Sequence, residues 1–453
     1  MVFGRKKREV EEEIEDEEEE MELILFQGSL NGVEANLKAN AKLARAGLLP
    51  AKELVSDAVS RGAQEILIEP RGPKAAVRCI IDGVAYPLTS LPGKRALAIT
   101  QVLKLLAGLD INIRDEEQSG GINAEYEEVE YILVVDTSLT KNGQERVRVR
   151  VENLKKQILK ADHAGFTQDF RKEIRAMLTE QSGVVLVVGP PASGATTTSY
   201  VVLHTVDAYL YTVYSMADTG HRELINIAEF TPEEEHDLAM SLDRVLRREA
   251  NVLFVDPIDE PETAQTIFDF QKKLAFIAEF PAPDPATAIQ TLISWLGADV
   301  VAEGLRGIIT QKLARALCED CKEAYRPNPQ LLKRLGMPPE TKVLYREPVP
   351  DEEDPEAPTI EELCEPCGGS PYHGRIGMYE LLRVTDGMKE VILAGADPAA
   401  IKEQMRADNG MTLQKDGLRL VMEGKTSLEE LQRTLSPPRR RPGKKRRRRR
   451  PPE

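Results

Sequence analysis

The chain has 453 residues, of which 41% are hydrophobic and 30% are charged, with a formal net charge of -15. This length suggests roughly three domains, and the apolar content is sufficient for buried cores. The composition argues against a membrane protein, because no apolar run approaches the ~18–20 residues of a membrane span. Five cysteines do not make a disulfide scaffold. Acidic residues directly follow the basic residues at 5–8, so we expect no secretory signal and a cytosolic protein.

Charge is concentrated in two segments. Residues 5–22 hold four basic and eleven acidic residues, and residues 439–453 hold ten basic residues and one acidic residue. These segments contribute -7 and +9, so the remaining residues carry -17. A body this acidic argues against nucleic-acid binding along its surface. We predict a disordered acidic head over 1–22 and a disordered basic tail over 436–453. The tail could bind anionic lipid, pair with the acidic head of a neighbouring copy, or simply be solvated.

The first predicted domain follows a short helical lead-in over 23–59. In that lead-in Pro50 suits the first turn of a helix that runs to Ser60. Turn signals at Asp82-Gly83 and at Lys141–Gly143 separate short runs with strand character. Strands are predicted over 65–69, 75–81, 84–88, 131–135 and 145–151, with a helix over 97–109. These elements predict a small α+β domain over 60–155.

A second domain begins near Phe166, where helices alternate with almost continuously apolar strands. This alternation is typical of a parallel sheet. Helices are predicted over 169–179 and 196–207, and strands over 184–188, 210–216, 252–255 and 274–278. An acidic, proline-rich stretch over 347–358 predicts a loop, and residues 376–435 have a helical pattern.

A glycine-containing loop joins the strand at 184–188 to the next helix. Such loops wrap phosphates with backbone N–H groups at a helix N-terminus. The predicted nucleotide-binding residues are Gly189, Pro190, Ser193, Gly194, Thr196 and Thr197. Ala195 occupies the position that normally holds a lysine, so the backbone cradle lacks its point charge. Asp256 follows four apolar residues and is a candidate to hold Mg²⁺ with the Thr196 hydroxyl. The loop pattern alone fits an ordinary strand–helix turn equally well.

Four of the five cysteines form two Cys-x-x-Cys pairs, Cys318 with Cys321 and Cys364 with Cys367. Each pair can supply two thiolates to one tetrahedral metal ion, so the pattern favours a structural Zn²⁺ site. The alternatives are reduced surface thiols or two redox pairs. Cys79 stands within a strand-like run and is predicted to be a core residue.

These motifs and their neighbouring residues resemble the type II secretion and type IV pilus assembly ATPases, the GspE-like traffic ATPases. The resemblance covers residues 50–435. The matching segments are 311–321 and 364–382 around the cysteine pairs, 410–418 and 424–431 in the last helices, and, more loosely, 61–70 and 77–84.

The resemblance implies an α/β fold: a small α+β N-terminal domain followed by a RecA-like P-loop NTPase core over 156–317. A four-cysteine zinc subdomain over 318–375 and C-terminal helices over 376–435 would follow. It also implies ATP with Mg²⁺, and a hexameric ring on the cytoplasmic side of the inner membrane. Such a ring would drive pilus or pseudopilus assembly through a membrane platform protein.

The departures from the family pattern are concentrated in the motifs that bind and hydrolyse nucleotide in the family. The family lysine is replaced by Ala195 and the family Walker B glutamate by Pro257. The acidic pair of the family becomes Ala217-Asp218, and its histidines align with Lys273 and Phe280. These losses predict a non-hydrolysing scaffold or regulatory subunit. Its ring would contain copies of this chain alone or a mixture with an active paralogue.

Three alternatives remain open from the sequence. Thr196, Asp256 and Asp218 are retained, which is compatible with an active traffic ATPase. The zinc subdomain with the basic tail could form a nucleic-acid module, against which the acidic body argues. Arg78 and Arg375 match family arginines that reach a nucleotide, or they form ordinary surface ion pairs.

Overall fold

The computed structural model describes residues 22–436, except 157, 159, 181, 191, 220, 221, 223, 234, 350–363, 365, 366 and 368. The chain divides into two compact units, Met1–Lys156 and Gln157–Glu453. Apart from Glu22 and Ser436, the predicted acidic head and basic tail lie outside the described residues, as does most of the predicted loop over 347–358. No helix in the described part combines the length and apolarity that a membrane crossing needs.

The first unit is a seven-stranded antiparallel sheet with two helices. Its sheet order is β1-β5-β6-β7-β2-β3-β4. Side chains of the sheet and of both helices share one buried apolar cluster. The elements are β1 (Leu25–Ser29), α1 (Ala41–Ser60), β2 (Glu65–Arg71), β3 (Lys74–Ile81), β4 (Val84–Pro92), α2 (Gly93–Leu106), β5 (Gln118–Tyr126), β6 (Val129–Leu139) and β7 (Glu145–Asn153).

Residues 23–59 are part of this unit and not a separate lead-in. Strand β1 pairs with β5, and α1 buries Leu54 and Val55 in the shared core. Helix α1 begins at Ala41, so the prediction that Pro50 lies in the first turn is wrong. Pro50 removes the helical partner of the Ala46 carbonyl. Ala46 is exposed, so water can bond that carbonyl instead.

The sequence reading also missed β5. This strand contains the Gly120-Gly121 pair, and glycine weakens the strand signal. The structure explains the glycine, since a Cβ at Gly120 would come within 2.5 Å of the Ala107 carbonyl oxygen.

The second unit has a larger sheet with the order β10-β9-β11-β12-β8-β13-β16, parallel except for the last strand. Apolar cores cover both faces of this sheet, which explains its continuously apolar strands. Its strands are β8 (Gly183–Val188), β9 (Val213–Ser215), β10 (Ala228–Glu229), β11 (Val252–Val255), β12 (Ala275–Phe280), β13 (Leu305–Leu317) and β16 (Tyr372–Arg383), and β14 (Glu323–Tyr325) pairs separately with β15 (Leu344–Arg346). The predicted α/β class, with an antiparallel first sheet and a parallel-rich second sheet, is confirmed.

The helices of the second unit flank its sheet and build its C-terminal end. They are α3 (Gln168–Thr179), α4 (Ala195–Leu203), α5 (Leu238–Leu246), α6 (Pro261–Phe270), α7 (Pro285–Leu296), α8 (Ala298–Gly304), α9 (Pro329–Leu335), α10 (Asp386–Leu393), α11 (Pro398–Ala407), α12 (Leu413–Met422) and α13 (Leu428–Leu435). Helix α4 is shorter than the predicted helix over 196–207.

The helical prediction for 376–435 is wrong in its first part. Strand β16 runs to Arg383 and pairs antiparallel with β13, so it crosses the predicted boundary at 375/376. Gly374 and Gly377 hide the strand pattern in the sequence. The antiparallel pair β13–β16 therefore brackets the segment that carries all four paired cysteines.

Candidate nucleotide and metal sites

The predicted phosphate loop follows the carboxyl end of β8, which is an interior strand of the parallel sheet. Ligands of open α/β sheets bind at this edge. Gly194 has a φ of 89° and caps α4, and Ala192 has a φ of 63°, so the backbone turns sharply into the helix. Gln311 of β13 braces the turn: its Nε2 donates to the Ser193 carbonyl at 2.7 Å, and its Oε1 accepts from the Thr198 hydroxyl. Gln311 is buried, so this brace is shielded from water.

The predicted loop residues stand at the start of α4 as expected from the sequence. Ala195 is the first residue of the helix, followed by Thr196 and Thr197 in the same turn. The loop therefore keeps its helix N-terminus, while Ala195 contributes no charge to it. A bound phosphate would depend on backbone N–H groups and the helix dipole.

A glutamate that the sequence reading did not select faces this turn. The Thr196 hydroxyl donates to Glu279 Oε2 at 3.1 Å. Glu279 lies on β12, directly beside Val187 of β8. Asp256, which we predicted as the partner of Thr196, instead accepts the backbone N–H of Asp218 at 2.9 Å. A glutamate near the end of an otherwise apolar parallel strand was the signal that could have identified Glu279.

The electrostatics of this edge are predominantly acidic. Burial raises the pKa of Glu279 and the charge of Asp256 raises it further, while the Thr196 hydrogen bond and Arg222 lower it. The Arg222 guanidinium lies 4.8 Å from the centre of the buried Tyr200 ring. Arg222 thus supplies a positive charge near Glu279, although it lies outside the loop.

The four paired cysteines converge after β13. Their Sγ atoms all lie within 4.8 Å of one another, with 3.7 Å between Cys318 and Cys364 and 3.8 Å between Cys321 and Cys367. Zinc–sulfur bonds of about 2.3 Å in a tetrahedron separate sulfur atoms by about 3.8 Å. The cluster therefore fits a four-thiolate zinc site. Burial of three of the four argues against surface thiols.

A zinc ion bound to this cluster would have to displace protons from the thiols. Burial raises the pKa of Cys367 to about 11 and also raises the pKa of Cys321. Neutral thiols do not ligate zinc, and metal binding releases their protons. A zinc ion held here would have a closed, structural site, because all four ligands would come from the protein.

Comparisons with known proteins identify the family of this chain. The sequence profile of the family described as "Type II/IV secretion system protein" matches residues 46–433. The chain belongs to this family of type II/IV secretion system proteins. It is 29% identical over 391 residues to the Type IV pilus assembly ATPase PilB of Thermus thermophilus, covering 85% of this chain and 42% of that protein. It is 27% identical to the Type II secretion system ATPase E of Vibrio cholerae, covering 84% of this chain and 73% of that protein.

A solved structure supports the secretion-ATPase fold. The X-ray structure of the Legionella pneumophila ATPase DotB has a TM-score of 0.51 and 14% identity, covering 85% of this chain and 94% of that one. At this identity the likeness concerns the fold alone. The chain spans 42% and 66% of the length of the pilus ATPases from Thermus thermophilus and Pseudomonas aeruginosa.

Three other residues singled out from the sequence, Arg78, Arg375 and Cys79, lie outside both candidate sites. Arg78 donates to Glu69 at 2.6 Å, as an ordinary ion pair would. Arg375 lies on β16 opposite Arg315. Cys79 is 1% exposed, which confirms it as a core residue.

Proposed function

We propose that this chain is a ring subunit of a type IV pilus assembly or type II secretion machine that binds nucleotide weakly and does not hydrolyse it. The observation that carries the proposal is at the start of α4, where Ala195 provides no cation and the facing side chain is Glu279. The phosphate loop keeps its backbone while its surroundings have become acidic.

Catalysis of phosphoryl transfer depends on positioning and on fixed positive charge. Loss of a single fixed electrostatic partner often lowers a rate by ~10²–10³. The chain departs from the family at the lysine, at the Walker B glutamate and at the histidines together. Losses within one catalytic unit do not simply add, but they leave little catalysis.

The partners of the proposal follow from the family resemblance. We infer a hexameric ring, of this chain alone or mixed with an active paralogue, peripheral to the cytoplasmic face of the inner membrane. Its contact there would be the platform protein of the pilus or secretion system. Zn²⁺ would serve the cysteine cluster structurally, and ATP with Mg²⁺ would occupy the loop.

Steady-state ATP hydrolysis by the full chain tests the proposal. We expect no turnover above that of the Thr196→Ala and Asp256→Asn variants, because these remove groups that hydrolysis would need. Turnover typical of an enzyme, about 1 s⁻¹ or more, that both variants abolish would overturn it.

That second outcome would establish the alternative, an active traffic ATPase that couples hydrolysis to pilus or pseudopilus assembly. One observation favours this alternative. Asp218 and Asp256 are joined at the sheet edge, and Arg222 supplies a cation near Glu279.

A further inference from the structure

Two oxygen atoms at the start of α4 are spaced as ligands of one metal ion would be. Thr196 Oγ1 and Glu279 Oε2 are 3.1 Å apart. Mg²⁺ binds oxygen in an octahedron at about 2.0–2.1 Å, which places neighbouring ligands about 3 Å apart. The hydrogen bond between them holds both atoms in this spacing.

The position of Glu279 in the sheet brings this carboxylate, rather than that of Asp256, to the Thr196 hydroxyl. Its strand β12 lies between β8, which leads into the phosphate loop, and β11, which ends before Asp256. Glu279 is thus one strand closer to the loop than Asp256. Asp256 is held instead by the Asp218 backbone at 2.9 Å, so its Oδ1 is already engaged.

Groups of both charge signs surround the Glu279 carboxylate. Its side chain is half-buried and lies near Asp256, with Arg222 as the opposing charge. A divalent cation between this carboxylate and a phosphate would reduce the repulsion on both sides.

We propose that Glu279, together with the Thr196 hydroxyl, ligates the Mg²⁺ that accompanies a nucleoside di- or triphosphate in the phosphate loop. The proposal rests on nucleotide binding as part of the proposed function. It makes the metal the source of the positive charge that Ala195 lacks. Nucleotide affinity should therefore depend steeply on Mg²⁺, and this dependence should require Glu279.

Titration of the full chain with fluorescent ADP and ATP analogues, in Mg²⁺ and in EDTA, tests this assignment. Removing an outer-shell partner of a metal ligand typically lowers metal affinity about 10–100-fold, and removing a ligand should lower it at least as much. We expect wild type to bind nucleotide at least about tenfold more tightly in Mg²⁺. Glu279→Gln should bind equally in both conditions. Glu279→Asp, which keeps the charge on a shorter side chain, should fall between them.

Glu340→Gln is the matched control, since Glu340 is an exposed glutamate of the same unit. It should behave as wild type. Electron paramagnetic resonance of Mn²⁺ gives a second readout that does not depend on turnover. Wild type with ADP should immobilise Mn²⁺, and Glu279→Gln should not. Circular dichroism melting of each variant checks that it is folded.

Three results would overturn the assignment: no nucleotide binding by wild type, no preference for Mg²⁺, or a preference that Glu279→Gln retains. Tighter nucleotide binding by Glu279→Gln in Mg²⁺ would show that the carboxylate repels phosphate. Absence of nucleotide binding would also remove the weak binding from the proposed function, whereas each of the other results leaves that function standing. Robust turnover with Mg²⁺ dependence through Glu279 would overturn the proposed function alone.

Discussion

Gln311 shows how the phosphate loop can keep its shape without a lysine. Its amide bonds both the Ser193 carbonyl and the Thr198 hydroxyl, and it is 1% exposed. Buried, satisfied polar contacts of this kind favour one backbone arrangement. Loop geometry and loop chemistry are therefore separable in this protein, because different side chains supply them.

Restoring the missing charge should improve binding without restoring catalysis. We expect Ala195→Lys to raise ATP affinity about 10–100-fold, because a hydrogen bond to a charged group contributes about 1.5–3 kcal/mol. Turnover should remain near background if Pro257 replaces the family glutamate, as the proposed function holds. Calorimetry and a hydrolysis assay measure the two effects. Ala195→Met adds comparable length without charge, and an equal gain in that variant would contradict the electrostatic explanation.

At the scale of elements, α13 is tied to β13 through one buried carboxylate. Glu430 is 1% exposed and accepts from the backbone N–H of Arg315 at 2.9 Å and from its guanidinium at 2.8 Å. Arg433 adds a further contact at 2.6 Å. The last helix is thus attached to the strand that leads into the cysteine cluster.

Removal of this carboxylate should destabilise the second unit. Breaking a buried pair by deleting one partner costs about 3–5 kcal/mol. We expect Glu430→Ala to lose that much in urea unfolding at neutral pH. Glu390→Ala is the control, because its carboxylate lies in α10, away from this network; a similar loss there would contradict the assignment.

The same carboxylate should make stability depend on pH. Burial alone would raise the pKa of Glu430, but hydrogen bonds from Arg433 and Arg315 outweigh burial and lower it. A lowered pKa in the folded state stabilises the protein above the unfolded value of about 4.3. This contribution is lost as the pH falls below that value. The difference in unfolding free energy between wild type and Glu430→Gln should therefore shrink between neutral pH and about pH 3; a constant difference would contradict it.

The cysteine cluster joins elements that are distant in sequence. The Leu317 N–H donates to the Lys425 carbonyl at 2.9 Å, and Lys322 donates to the Gly424 carbonyl at 3.1 Å. These bonds connect the first cysteine pair to the turn between α12 and α13. Loss of zinc would therefore loosen the C-terminal helices as well as the cluster.

Chelation should reveal this connection. We expect one zinc per chain by elemental analysis, and a lower melting temperature after exhaustive chelation, because structural zinc contributes to folding free energy. Cys364→Ser should reproduce the shift and abolish its response to chelator. Cys79→Ser has no place in the cluster and is the control for zinc content. A metal-free preparation with an unchanged melting temperature would contradict a structural role.

At the scale of the whole molecule, each unit has its own sheet and its own apolar cores. Each of the seven strands of the first sheet pairs with its neighbours in that sheet. Helices α1 and α2 pack on the sheet and share its apolar core. A unit with a complete core and paired strands has what independent folding requires.

A fragment of residues 22–156 should therefore fold alone with one cooperative thermal transition. A fragment of residues 60–155, which follows the boundary predicted from the sequence, should not. It lacks β1 and α1, and with α1 it lacks the buried Leu54, Val55 and Ala58. Circular dichroism melting compares the two fragments, and equal cooperativity in both would contradict the inclusion of β1 and α1.

Local patterns were sufficient to predict much of the fold. Continuous apolar runs identified β8 and β11, and the Asp82-Gly83 turn placed the β3–β4 hairpin, because these signals depend on neighbouring residues only. Strands that contain glycines, such as β5 and β16, escaped prediction. In β5, Gly120 and Gly121 lie against Ala107 and Leu30 from other parts of the fold, and a single sequence does not record such contacts.

The sequence by itself determined the family, the absence of a loop lysine and the pairing of four cysteines into two motifs. Residue identity and spacing along the chain are sufficient for each of these. Only the tertiary structure decided that Glu279 rather than Asp256 faces Thr196, and that Gln311 braces the loop. Glu279 lies 83 residues from Thr196 and Gln311 lies 113 from Thr198. Parallel pairing of β12, β8 and β13 sets these side chains around one turn, because it aligns the carboxyl ends of strands from distant parts of the chain.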